Sequence, residues 1–141
     1  MKKTFLMAMT LICATLALMA QDVKPKDVPA KVKAALAKKY QAATKVNWEK
    51  EKGNYEANWG GKLGEDNSAV FTPAGEFVEI VNAIPINALS KAVAPYINEH
   101  YKTLIKEAGK VTDAKGTLTY EAEIKGKDLI FDENGKFLKV D

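Results

Sequence analysis

The chain has 141 residues, with 21 lysines and no arginine, 18 acidic residues, one histidine and one cysteine, for a formal net charge of +3. A nucleic-acid binder normally carries a marked positive excess and uses arginine for bidentate contacts, so this balance argues against that class. One histidine and one cysteine leave little material for a metal centre or for a nucleophile with its base.

The chain opens on Met1-Lys2-Lys3 and continues with a 15-residue uncharged run from Thr4 to Leu18. Ala20 then supplies a small residue before Gln21-Asp22. This order predicts a secretory signal peptide over residues 1–20, since the apolar run is short for a bilayer span. Cys13 lies inside the run behind Ile12, which does not suit a lipoprotein cleavage site, so it is expected to leave with the leader. The expected mature chain, residues 21–141, is one domain with 19 lysines against 18 acids and no cysteine. It has no disulfide or thiolate chemistry, and no later stretch is suited to membrane insertion. A periplasmic or secreted location follows from the leader.

The next predicted element is a helix over Val28–Tyr40, where Val28, Val32, Ala35, Leu36 and Tyr40 form one apolar stripe. Thr44 to Glu49 alternates, with Val46 and Trp48 on one side. Lys52-Gly53 supplies a turn, and Tyr55, Ala57 and Trp59 then alternate with Asn54, Glu56 and Asn58. This period of two marks strands with one face buried and one wet. Gly60-Gly61 and Gly64 fall in a hairpin insertion. Val70-Phe71 and Phe77-Val78 bracket turn residues ending in Gly75, a hairpin signal.

From residue 84 the same order begins again. Val28–Tyr40 lies on Leu89–Tyr101 without a gap at an offset of 61, and Val23 lies on Ile84 at that offset. Asn54-Tyr55-Glu56-Ala57 matches Thr119-Tyr120-Glu121-Ala122 at an offset of 65, and Val70–Phe77 matches Ile130–Phe137 at 60. The length changes fall in predicted loops, where insertions are tolerated. The expected architecture is therefore α+β: a tandem repeat (about 23–82 and 84–141) of a helix plus a four-stranded antiparallel meander. Neither unit has enough surface to bury its stripe alone, so the two should share a core or one curved antiparallel sheet, with both helices on one face.

Taken together, the Val-Pro start, the helix ending Lys38-Lys39-Tyr40, Lys45-Val46-Asn47-Trp48, Gly53-Asn54-Tyr55-Glu56-Ala57 and the two Phe-x-x-x-Gly-x-Phe segments resemble the PepSY-like, β-lactamase-inhibitor-like exported proteins. The resemblance runs from about Val23 to Val140. It implies a tandem helix-plus-sheet fold, export and no known enzymatic activity; the founding analogue of the family binds an enzyme across a concave sheet, which leaves the target of this chain open. Two departures stand out. Ser90 replaces the proline found at Pro29, and Pro95 is expected to kink or split the second helix.

The chemistry-bearing residues read blandly one by one. His100 falls opposite Lys39 on the polar side of its helix, as a solvated histidine. Asp132-Glu133-Asn134-Gly135 has the opening of a calcium loop but lacks its twelfth-position glutamate, and the other copy has no acid there, so a hairpin turn is expected. Asp113-Ala114-Lys115-Gly116 is likewise a turn. Ser68 and Ser90 lack a nucleophile elbow and a base. No catalytic, cofactor-binding or metal-binding residue is expected.

What remains is a candidate partner-binding set: Trp48, Glu56, Phe77, Glu121, Glu123 and Phe137. Trp48 falls on the turn residue Asp113 in the repeat and so has no apolar counterpart; a binding anchor and a core residue are both open readings. Phe77 and Phe137 alternate with Val78/Ile80 and Leu138/Val140, so one of each set should face away from the helices. Glu121 and Glu123 must share a strand face. The expected partner is an envelope or secreted protein; the alternative is a small-ligand or cation-binding protein that uses the paired carboxylates.

Overall fold

The computed structural model describes residues 20–141. The leader and Cys13 lie outside the described residues. Nine strands and two helices follow in the order β1 (Gln21–Val23), α1 (Ala30–Lys39), β2 (Asn47–Glu51), β3 (Asn54–Trp59), β4 (Asn67–Phe71), β5 (Phe77–Ile84), α2 (Val93–Tyr101), β6 (Glu107–Asp113), β7 (Leu118–Ile124), β8 (Lys127–Phe131) and β9 (Phe137–Val140). All nine strands form one antiparallel sheet in sequence order, with helical crossings only between β1 and β2 and between β5 and β6.

Helix α1 is built from alanine, lysine and leucine, all strong helix formers, with Pro29 fixing its start and Lys38 and Lys39 facing the negative end of its dipole. Val32 and Leu36 are its buried residues. Helix α2 buries Val93 and Ile97 in the same way. Pro95 neither kinks nor splits α2. It sits in the first turn, where its missing N–H would have had no partner, and the helix simply starts at Val93. At the far end, Lys102 in the left-handed region (φ 52°) stops it.

Strand pairing decides which residues share a face, because directly opposed residues point to the same side. Trp48 pairs with Ala57, Ala57 with Ala69, and Ala69 with Ile80. Ile84 pairs with Ala108, Ala108 with Ala122, and Ala122 with Leu129. Ile80 and Ile84 lie on the same side of β5, so both runs share one face of the sheet. That face carries both helices. Val32 and Leu36 pack with Trp48, Tyr55, Ala57, Trp59, Phe71 and Ile80 in a first cluster. Val93 and Ile97 pack with Ala108, Ala122, Ile124, Leu129 and Phe131 in a second. The sheet is continuous while the cores are two.

The closing hairpins are alike in detail. Thr72 N–H donates to the Glu76 carbonyl at 2.9 Å and Gly75 N–H to Thr72 at 2.8 Å; Asp132 and Gly135 repeat these bonds at 2.9 and 3.0 Å. Gly75 (φ 85°) and Gly135 (φ 82°) take conformations that favour glycine, and each tip abuts the start of a helix, at Lys31 and at Ser90 and Ala92. The register shifts at Val70/Phe71 and again at Ile130/Phe131. Each shift is a bulge that puts two residues opposite one, which breaks the alternation expected from the sequence. Phe77 therefore lies on the helix side together with Ile80, and Phe137 together with Val140.

Candidate functional site

The face away from the helices is set by the other parity. Asp22, Glu49 and Glu56 lie in one cross-strand row, and Glu56 pairs on with Val70 and Val70 with Glu79. Further along, Gly109 pairs with Glu121 and Glu121 with Ile130, while Glu107 pairs with Glu123 and Glu123 with Asp128. These residues line a depression of about 610 Å³, in which Glu49, Glu51, Glu56, Glu65, Glu79, Glu107, Glu121, Glu123, Asp128 and Asp141 surround Lys52 as the one lining lysine.

Beneath the carboxylates the surface is apolar. Val70, Val78 and Val81 line the depression. Val111, paired with Val81, and Ile130, paired with Glu121, are each only 6% exposed although no helix covers this side. They belong to neither helix-side cluster. They pack beneath this face, and the floor that the acidic rim surrounds is made by Val70, Val78 and Val81.

Gly109 makes the arrangement possible at its centre. A Cβ there would stand 2.6 Å from Val81 Cγ1 and 2.7 Å from Glu121 Oε1. Glycine leaves the gap into which the Glu121 side chain folds across the neighbouring strand.

Crowding shows in the proton affinities. Burial, aided by Asp128, Glu79, Glu56 and Asp141, pushes the Glu121 carboxyl up to about 7. Glu79 and Asp128 are raised mainly by burial, and Glu49 by burial with Glu56 and Asp22 nearby. Ion pairs at 3.6 Å from Lys106 to Glu123 and from Lys139 to Asp141 relieve the rim, and two hydrogen bonds add to them. Ser68 donates a short hydrogen bond to Glu56, and Lys52 donates to Asp141 at 2.9 Å, which holds Asp141 below its ordinary value. Both partners of that pair are well exposed, so it contributes little to stability.

Of the six candidate residues, Glu56, Glu121 and Glu123 are brought together on this face. The other three are corrected. Trp48 is 6% exposed in the first core cluster, Phe77 packs against the same cluster, and Phe137 against the second. Phe77 stacks edge-on with Phe71 and Phe137 with Phe131, both at 5.8 Å. Trp48 does have an apolar counterpart. Val23 pairs with Trp48 as Ile84 pairs with Ala108, so Ala108 and not Asp113 occupies the matching position.

The other readings are placed directly. His100 is exposed and lies against Tyr96, with ring centroids 4.2 Å apart. Asp132 Oδ1 accepts from the N–H groups of Asn134 and Lys136, both at 2.9 Å, so the calcium-like segment is a side-chain-braced turn. Asp113 braces its own turn through Lys115 and Thr117. Among the described residues no cluster of three acidic, histidine or cysteine groups is placed to hold a metal ion.

Two overlapping segments, residues 17–63 and 59–139, match the family model described as "Putative beta-lactamase-inhibitor-like, PepSY-like". The chain belongs to this PepSY-like family. Its fold is that of several solved Bacteroides proteins. One from Bacteroides eggerthii, described as a "putative periplasmic" protein, shares 20% identity at a TM-score of 0.65, covering 81% of this chain and 88% of that one. A DUF2874 family protein of Bacteroides uniformis gives 20% and 0.64, over 80% and 88% of the two chains. A BLIP-like protein of Bacteroides fragilis gives 21% and 0.55, over 80% and 85%. At these identities the likeness concerns the PepSY-like fold alone. No curated protein matches the chain in sequence. No described helix is long and apolar enough to cross a membrane.

Proposed function

We propose that this PepSY-like chain is an exported, non-enzymatic binding protein that engages a protein partner through its open sheet face and the adjoining loops. One observation carries the reading: the helix-free face is a concave surface with an apolar floor and an acidic rim. An accessible apolar centre inside a polar rim is the usual anatomy of a protein contact surface. Inhibitor-like binding fits the family description. Export fits the charged, then apolar, start of the sequence and the company of periplasmic-type relatives. The halves about 23–82 and 84–141 are, on this reading, two copies of one unit that present a single joint surface.

The test is capture from an envelope extract with immobilised protein. The wild type and a Lys38→Glu/Lys39→Glu variant on the helix side should recover the same partner, whereas Glu121→Lys/Glu123→Lys should lose at least nine-tenths of it. Equal recovery by all three would remove the open face from consideration.

A further inference from the structure

From this binding reading, on which the inference rests, we infer that the occupant of the open face is an extended lysine- or arginine-rich segment of the partner, lying across the strands. The first support is the path of the carboxylates. Glu49 on β2, Glu56 on β3, Glu79 on β5, Glu121 on β7 and Asp128 on β8 form a track across the sheet rather than one converging cage. Six inter-strand steps from β2 to β8 span roughly 29 Å at about 4.8 Å each, the length of about eight or nine extended residues. A second, smaller depression shares Glu49, Asn58 and Glu65 with the first and carries the surface on to Asp22 at the β1 edge.

The floor is the second support. A metal ion would need the carboxylates alone, and a small polyamine, although its methylenes could also meet the floor, is shorter than the track and brings no main-chain amides. Lysine and arginine side chains also have aliphatic stems, which would lie along Val70, Val78 and Val81 while their charged ends reach the rim. A run of such side chains on an extended segment uses both features along the whole track.

The third support is Asn58, the one buried polar residue among those described, at 9% exposure. It lines both depressions. Its neighbour on the same face, Ser68, is engaged with Glu56. The Asn58 side chain makes no hydrogen bond within the described residues. Every fully enclosed polar atom there is satisfied, so the free amide atoms of Asn58 are ones that reach the depression. An amide placed in this way offers both a donor and an acceptor to the main chain of an extended ligand.

The test uses fluorescence anisotropy of a labelled octalysine peptide with the full mature chain at low salt. Octalysine should bind at least tenfold more tightly than spermine, and its affinity should fall about tenfold between 25 and 300 mM NaCl, as expected for partly screened charges. Glu79→Gln/Glu121→Gln/Asp128→Asn should weaken it at least fivefold, whereas Lys38→Glu/Lys39→Glu should not weaken it. A circular dichroism spectrum identical to wild type verifies that the triple variant is folded, and Glu121→Gln alone, which relieves crowding, serves if it is not. Absence of binding at 25 mM NaCl, equal affinity for spermine, or an unchanged affinity in the rim variants would overturn the inference. If octalysine fails while capture from the extract still depends on Glu121 and Glu123, the basic-segment inference falls and the protein-binding reading stands. If both are insensitive to the rim, both fall.

Discussion

Phe71→Ala and Phe131→Ala are each expected to destabilise the fold by about 3–5 kcal/mol, read as a drop in the midpoint of denaturant unfolding. Both rings are fully buried and hold corresponding places, Phe71 under α1 beside Phe77 and Phe131 under α2 beside Phe137 and Tyr96. Removing either ring loses its transfer free energy and leaves a hole that the strands of a continuous sheet cannot close. A domain of this size has about 5–15 kcal/mol in all, so one substitution uses up much of the margin. The two clusters are separate, so their costs should be felt separately. Near-additive losses in the double variant, if it still folds, would agree with two cores under one sheet. A cost under about 1 kcal/mol at either site would contradict the packing described for that half.

Glu121→Gln should do the reverse and stabilise the protein at pH 8. In the folded chain the Glu121 carboxyl is raised from 4.5 to about 7 by burial and by Asp128, Glu79, Glu56 and Asp141. The folded state therefore holds the proton more tightly than the unfolded state does. Stability is greatest below about pH 4.5, is lost as pH rises toward 7, and is level above that as far as this group is concerned. At about 1.4 kcal/mol per pKa unit the full shift corresponds to roughly 3 kcal/mol, and partial solvent contact trims this to about 2–3. Glu49, Glu79 and Asp128 are shifted in the same direction and add to the slope. Asp113 and Asp141 are lowered, and their contributions are lost only in strong acid. Unfolding midpoints at pH 5 and pH 8 should thus differ clearly for the wild type and much less for Glu121→Gln. The same slope in both proteins would show that Glu121 is not held in a crowded, water-poor position. A carboxylate kept where it opposes folding is what a binding surface would require and a merely solvated face would not.

Periodicity made much of this molecule legible. The three- and four-residue spacing of Val28, Val32 and Leu36, repeated in Leu89, Val93 and Ile97, located both helices, and the alternation around Tyr55 and Tyr120 located β3 and β7. Trp59 and Ile124, which correspond at the offset of 65, both fall in the cores. Strand β6 was hidden, because Glu107–Asp113 mixes alanine, glycine and lysine and its buried residues include Ala108 and Gly109, which carry little hydrophobic signal. That also misplaced Trp48. The β6–β7 hairpin is longer in strand and turn than the β2–β3 hairpin, with Ala108 paired to Ala122 where Trp48 pairs to Ala57, so the offset of 65 slid the comparison onto Asp113. The bulges were the other loss. A period-two rule assigns Phe77 and Ile80 to opposite faces, and only the register shift shows that they share one.

The candidate site was half legible for a related reason. Glu121 and Glu123 share a face by strand geometry alone, and Glu56 follows from the repeat. Glu79, Asp128 and Asp141 join them only through pairing across β5 to β9, which no local pattern encodes. Gly109 carries no hydrophobic signal, yet its missing Cβ is what seats Glu121.

Carboxylate footprinting tests the central claim most directly. The captured complex and the free protein would be treated with a carbodiimide and an amine, and labelling would be read by mass spectrometry. Protection is expected at Glu56, Glu79, Glu121, Glu123 and Asp128, with Asp27, Glu99 and Glu133, which lie away from the open face, labelled equally in both states. Unchanged labelling of the rim, or protection confined to Glu99 and Asp27 on the helix side, would contradict the account.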